Sequence, residues 1–74
     1  MMRLNELDVG ATGRVGEVRL WGAMGRRLRE LGFLEGEPVT CVGVSPLGDP
    51  RAYRICGAVI ALRNADAARV EVMP

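Results

Sequence analysis

At 74 residues and 8.0 kDa the chain can fill only one hydrophobic core, which argues for one domain at most and against a multi-step catalytic machine. With 49% hydrophobic and 26% charged residues it has the composition of a folded soluble protein, not of a disordered segment. Ten arginines, with no lysine, are almost cancelled by nine acidic residues, and the net +1 gives no field to gather a polyanion, so nucleic acid is not an expected partner.

Taken in chain order, Met1-Met2-Arg3-Leu4-Asn5-Glu6 lacks the apolar core of a signal peptide. No later apolar run reaches the roughly 18 residues of a membrane span, so a cytoplasmic chain without direct membrane insertion is expected. Residues 14–20 predict a first strand, with Gly16 breaking its alternation and marking a bulge. Trp21, Met24, Leu28 and Leu31 then recur at steps of three and four while Arg26, Arg29 and Glu30 project to the other side, which predicts one short amphipathic helix. Gly22 and Gly25 weaken that helix by about 1 kcal/mol each relative to alanine, so packing must hold it. Gly32 supplies a left-handed residue just past its end, and Phe33 is placed to close over Leu28.

Glu35-Gly36-Glu37 reads as a turn, residues 38–44 as a strand with Pro38 confined to its first position, and residues 45–50 as a loop. A strand over 51–56, a turn at Gly57 and a strand over 58–63 follow. Residues 64–68 predict a helical turn capped by Asn64, and 69–73 a last strand. Five short strands and one helix fit a small closed β-barrel, because closure removes exposed strand edges. The expected core is Val15, Val18, Leu28, Leu31, Val39, Cys41, Tyr53, Ile55, Ile60, Leu62, Val70 and Val72, which fills the interior and leaves no room for a cofactor.

The runs Arg27-Leu28-Arg29-Glu30-Leu31-Gly32-Phe33, Glu35-Gly36, Pro46-Leu47-Gly48-Asp49-Pro50 and Gly57-Ala58-Val59-Ile60-Ala61-Leu62-Arg63 stand in this order between Leu4 and Met73. In this the chain resembles the FeoA family. The resemblance implies a mainly β, SH3-like small β-barrel with one helical insertion, forming a single domain over residues 1–74. It further implies a cytoplasmic accessory or regulatory adaptor of bacterial ferrous iron uptake, peripheral to the inner membrane through its partner. That partner would be the cytoplasmic region of the transporter FeoB, its GTP-binding domain or adjoining segments. Transition metal ion binding is implied at family level only. The same barrel is similar to the C-terminal domain of DtxR-type metal-dependent repressors, so the alternative reading is a stand-alone regulatory domain of that kind. A single helix of about ten residues offers no helix-turn-helix for a major groove.

Three groups of residues are candidate partner contacts. Pro46, Leu47, Gly48, Asp49 and Pro50 form a stiff loop with an apolar tip, suited to docking unless Leu47 folds back as a plug and Asp49 serves only turn backbone groups. Leu20, Trp21 and Met24 carry a tryptophan at the helix start, an interface anchor unless it packs on the barrel. Arg26 and Arg27, with Arg29, are the densest basic cluster: either a solvated face or a guanidinium supplied in trans to a phosphoryl group on FeoB.

No catalytic residue, cofactor or metal ligand set is expected. Histidine is absent, the carboxylates are scattered, and no nucleophile has a base. Cys41 and Cys56 lie fifteen positions apart, a spacing that leaves a disulfide open, but a cytoplasmic setting predicts two reduced thiols. Cys41 should face the core and Cys56 solvent, where it is available only for contacts between subunits. Weak self-association is the one other partner expected.

Overall fold

A computed structural model gives the fold of residues 1–73. Each predicted strand is present, in the order β1 (Met2–Arg3), a 3₁₀ turn (Leu4–Glu6), β2 (Thr12–Val18), α1 (Gly22–Glu30), β3 (Pro38–Val44), β4 (Arg51–Ile55), β5 (Ala58–Leu62), α2 (Asn64–Ala67) and β6 (Val70–Met73). All pairings are antiparallel, in one sheet of order β1-β6-β2-β3-β4-β5.

Two differences from expectation have simple causes. The sixth strand, β1, has two residues, too few to show periodicity, and it exists because Met2 and Arg3 pair with Val72 and Glu71. The first long strand covers Thr12–Val18 rather than 14–20: beyond Val18 the Arg19 N–H still reaches the Arg69 carbonyl at 2.8 Å, but Leu20 has left the ladder and turned inward.

Bulges shape the curl of the sheet. Val15 pairs with Val72 and Val18 with Val70, so β2 carries one more residue than β6 over this step, at the Gly16 position where the alternation breaks. The extra residue lets Val15 and Val18, three apart, both enter the core. A second bulge lies between Cys41 and Gly43 of β3, opposite Tyr53 and Ala52.

The strands wrap a fully apolar interior in which Tyr53, Phe33, Leu4, Leu28 and Ile55 are the largest buried side chains. Of the expected core, Leu31 and Ile60 are only half-buried, at the edge of the packed region. Leu7, Leu20 and Ala67 enter the core as well. The sheet forms the expected small barrel, but hydrogen bonding does not close it, since β1 and β5 end the sheet and do not pair with each other.

The 3₁₀ turn packs Leu4 and Leu7 into the core and is tied there from β4. Tyr53 donates its hydroxyl to the Leu4 carbonyl at 3.4 Å, and Arg51 Nη1 donates to the Asn5 and Leu7 carbonyls, the latter at 3.0 Å. Burial of Tyr53 raises its phenol from 10.0 to about 12, against the weaker opposing pull of the Arg51 guanidinium.

Candidate partner-docking surface

The helix start is built around one carbonyl. Trp21 is the N-cap residue of α1, in extended conformation and with no side-chain cap. Four residues into the segment, Gly25 sits so close to the chain before the helix that a Cβ there would lie 2.1 Å from the Leu20 carbonyl oxygen. Arg29, one turn further on, donates from Nη1 to that same oxygen at 3.0 Å and from Nη2 to the Val18 carbonyl at 2.9 Å. Its guanidinium also lies over the Trp21 ring, 5.2 Å from the centroid. Arg29 is therefore a clamp that holds the strand-to-helix connection, not a free cation on the outer face.

This arrangement corrects two expectations. Leu20 is buried, so it cannot present itself to a partner. Gly22 and Gly25 are geometric requirements rather than tolerated weaknesses, the first at φ +69° and the second by close approach. Trp21 remains 70% exposed, with Met24 exposed beside it on α1, so neither is consumed by packing on the barrel. Arg26 and Arg27 are exposed and form no ion pair among the described residues.

The helix ends as the sequence predicts. The Phe33 N–H donates to the Leu28 carbonyl at 3.0 Å and the Gly32 N–H to the Arg29 carbonyl at 3.1 Å, a Schellman pair with Gly32 at φ +112°. Phe33 and Leu28 are both fully buried. A Cβ on Gly32 would also meet Cys56 Sγ at 2.5 Å, which explains why the helix end can lie against the β4–β5 turn.

The loop between β3 and β4 is stiff and held from below. Ser45 Oγ donates to the Asp49 carbonyl at 2.6 Å, and the Gly48 N–H to the Ser45 carbonyl at 2.8 Å. Asp49 Oδ1 accepts the Asn64 N–H at 2.9 Å while Asn64 Nδ2 donates to the Gly48 carbonyl at 2.9 Å. Asn64 is thus the first helical residue of α2, capped from the loop by Asp49; the cap residue itself is Arg63. Leu47 stands at the tip 94% exposed and does not fold back as a plug. Pro46, Gly48, Asp49 and Pro50 form its frame, with Asp49 serving both the loop and α2.

One surface feature escapes the sequence. Met24, Arg27 and Leu28 of α1 face Val59, Ile60, Ala61 and Leu62 of β5 across a groove of about 330 Å³. Met24 and Arg27 are thereby brought together on one wall, while the Leu47 loop is anchored separately on α2. Alternation along β5 reveals which residues point outward, but only the strand order shows that β5 is an open edge.

The thiols fall as expected, Cys41 buried and Cys56 exposed, both free. Cys56 Sγ lies 3.9 Å from Glu37 Oε2, and no group of three His, Cys, Asp or Glu side chains converges among the described residues. This donor set does not fit a metal ion held by one chain.

Comparison with known proteins supplies the context for this surface. The FeoA domain family model matches residues 2–74. The chain is similar to an Fe(2+) transport protein A/Fe(2+) transporter FeoB fusion protein of Porphyromonas gingivalis, 41% identical over 71 residues, which are 96% of this chain and only 8% of that protein. Among solved structures it is similar to Stenotrophomonas maltophilia FeoA complexed with zinc, described as a prokaryotic SH3 domain protein. The identity there is 38% and the TM-score 0.85, over 97% of this chain and 89% of that one. T. acidophilum IdeR shares the fold alone, at 18% identity and a TM-score of 0.81 over 97% of this chain and 33% of that one.

Proposed function

The chain belongs to the FeoA family, and on that premise we propose that residues 1–74 act as a single adaptor domain of ferrous iron uptake, working by contact with the cytoplasmic region of FeoB. The observation that carries this reading is the relative in which the FeoA and FeoB parts share one polypeptide. Covalent joining turns a weak association into an intramolecular one, which is useful only where the two parts work together.

The surface suits such a role. The interior is closed by packed side chains, whereas Trp21 and Leu47 present apolar area on rigid supports, a helix cap and a braced loop. Rigid anchors lose little entropy on binding. The chain contributes contacts rather than bond-making chemistry, and no helix of the described residues is long and apolar enough to cross a membrane. Its place is cytoplasmic, at the inner membrane through FeoB. Of the arginines considered for a role toward the FeoB nucleotide, Arg29 is occupied by its carbonyl clamp, whereas Arg26 and Arg27 are exposed and make no ion pair among the described residues.

The test is a pull-down and affinity measurement against the purified cytoplasmic region of FeoB using Leu47→Asp and Trp21→Ser. Each should weaken the complex about tenfold while leaving the thermal midpoint within about 2 °C of the parent. Unchanged affinity in both variants contradicts the proposed contact surface.

A further inference from the structure

We propose that the open edge of β5 is a strand-acceptor site, to which an extended partner segment of alternating apolar and acidic residues adds as a further antiparallel or parallel strand. The inference rests on the adaptor reading above and names the chemistry of the segment that is gripped.

Hydrogen-bonding capacity comes first. β4 and β5 are joined by the two-residue turn Cys56-Gly57, both residues at positive φ, so Ile55 and Ala58 close the hairpin as a hydrogen-bonded pair. Alternation then makes Tyr53 with Ile60 and Arg51 with Leu62 the next bonded pairs. Val59 and Ala61 consequently turn their N–H and C=O groups away from β4. No backbone bond outside the ladders uses them, and β5 has no second neighbour in the sheet.

Natural sheets usually blunt such an edge with proline, a bulge, a charge on the strand or a very short strand. β1, the other edge, is blunted by its two-residue length. β5 has none of these devices: its five residues are Ala-Val-Ile-Ala-Leu in unbroken register with β4.

The surroundings select the occupant. The side chains lining the groove beside this edge are apolar except for Arg27, while its exposed surface as a whole is more polar than apolar, as edge backbone with free N–H and C=O groups makes it. Arg26 on α1, Arg63 immediately after β5 and Arg54, paired with Val59, are also exposed, and none of the four arginines has a carboxylate partner among the described residues. Two copies joined edge to edge would bring these guanidinium groups together, which opposes a β5-to-β5 dimer. A segment with carboxylates matches the rim and apolar side chains match the floor; its backbone would pair with Val59 and Ala61, the general logic of β-strand addition.

The experiment is an NMR titration of ¹⁵N-labelled full chain with the purified cytoplasmic region of FeoB, with amide exchange read on the complex, repeated for Ala61→Pro and Arg27→Glu. The expected result is slowed exchange at Val59 and Ala61 in the complex, with affinity lowered at least about tenfold in each variant and falling as salt rises. The Ala61 N–H has no hydrogen-bond partner among the described residues of the free chain, so this proline removes an incoming bond rather than an internal one; exchange at Ile60 and Tyr53 in free Ala61→Pro checks that the hairpin is intact. If wild type and both variants bind alike, with Val59 and Ala61 unprotected, the strand-acceptor site is wrong and the adaptor reading stands. If wild type does not bind at all, the adaptor reading falls and takes this inference with it. If protection at Val59 and Ala61 appears on concentrating the free chain alone, the edge is a self-association site and the acidic-partner proposal is overturned.

Discussion

Replacing Gly25 with alanine improves intrinsic helix propensity by about 1 kcal/mol and should nevertheless destabilise the protein. The added Cβ meets the Leu20 carbonyl at a distance that backbone must move to relieve, and that carbonyl is also the one Arg29 holds. Urea unfolding of Gly25→Ala should show a net loss of at least about 2 kcal/mol, by overpacking against backbone; a gain would mean the contact is slack. Cys56 makes the opposite case. It occupies a left-handed position, φ +48°, ahead of Gly57 in a turn that favours Asn-Gly. Cys56→Asn should therefore raise stability by about 0.5–1 kcal/mol in the same assay; a loss would mean that the contact of Sγ with Gly32 outweighs the strain. Sequence reading found the left-handed need at Gly32, because a helix C-terminus announces it locally. It mistook Gly25, because the atom that forbids a side chain there arrives from outside the helix.

Among the elements, α1 depends on a clamp that spans strand, connection and helix. Arg29→Ala removes two charge-assisted bonds to the Val18 and Leu20 carbonyls and the support under Trp21. The expected loss is about 2–3 kcal/mol, with faster amide exchange over Arg19 to Trp21, and Arg29→Lys should not restore it because an ammonium lacks the planar fork. Little of this was legible: periodicity places Arg29 on the polar side of the helix, and an arginine long enough to reach back over the helix start leaves no mark in the pattern. The strands were legible where alternation ran for four or more residues, as in β3 and β6. β1 and the 3₁₀ turn were not, since Leu4 and Leu7 gain their place only through Tyr53 and Arg51, more than forty positions away. The candidate loop was legible as a stiff segment with an apolar residue, because Pro46, Pro50 and Leu47 are local signals; that Leu47 stays outside and that Asp49 reaches α2 needed the structure. The β5 edge required the strand order.

For the molecule as a whole, the N-terminal segment is the part that completes the core, and Tyr53 links it to pH. The phenol ionises near 10 in the unfolded chain and at about 12 when folded. Its contribution is therefore fully present below pH 10 and is lost as pH rises toward 12, at about 1.4 kcal/mol per pH unit, because only the unfolded chain releases the proton in that window. Tyr53→Phe should flatten the fall in denaturant midpoint between pH 10 and 12; an unchanged slope would assign that fall to other groups. On the proposed adaptor reading, function at this scale rests on the outside surface, where Trp21 and Leu47 are exposed. The most direct measurement is a titration of fluorescently labelled full chain with the purified cytoplasmic region of FeoB, with and without guanine nucleotide. The adaptor account predicts saturable, stoichiometric binding that salt weakens; a flat signal through millimolar concentrations in both nucleotide conditions would contradict it.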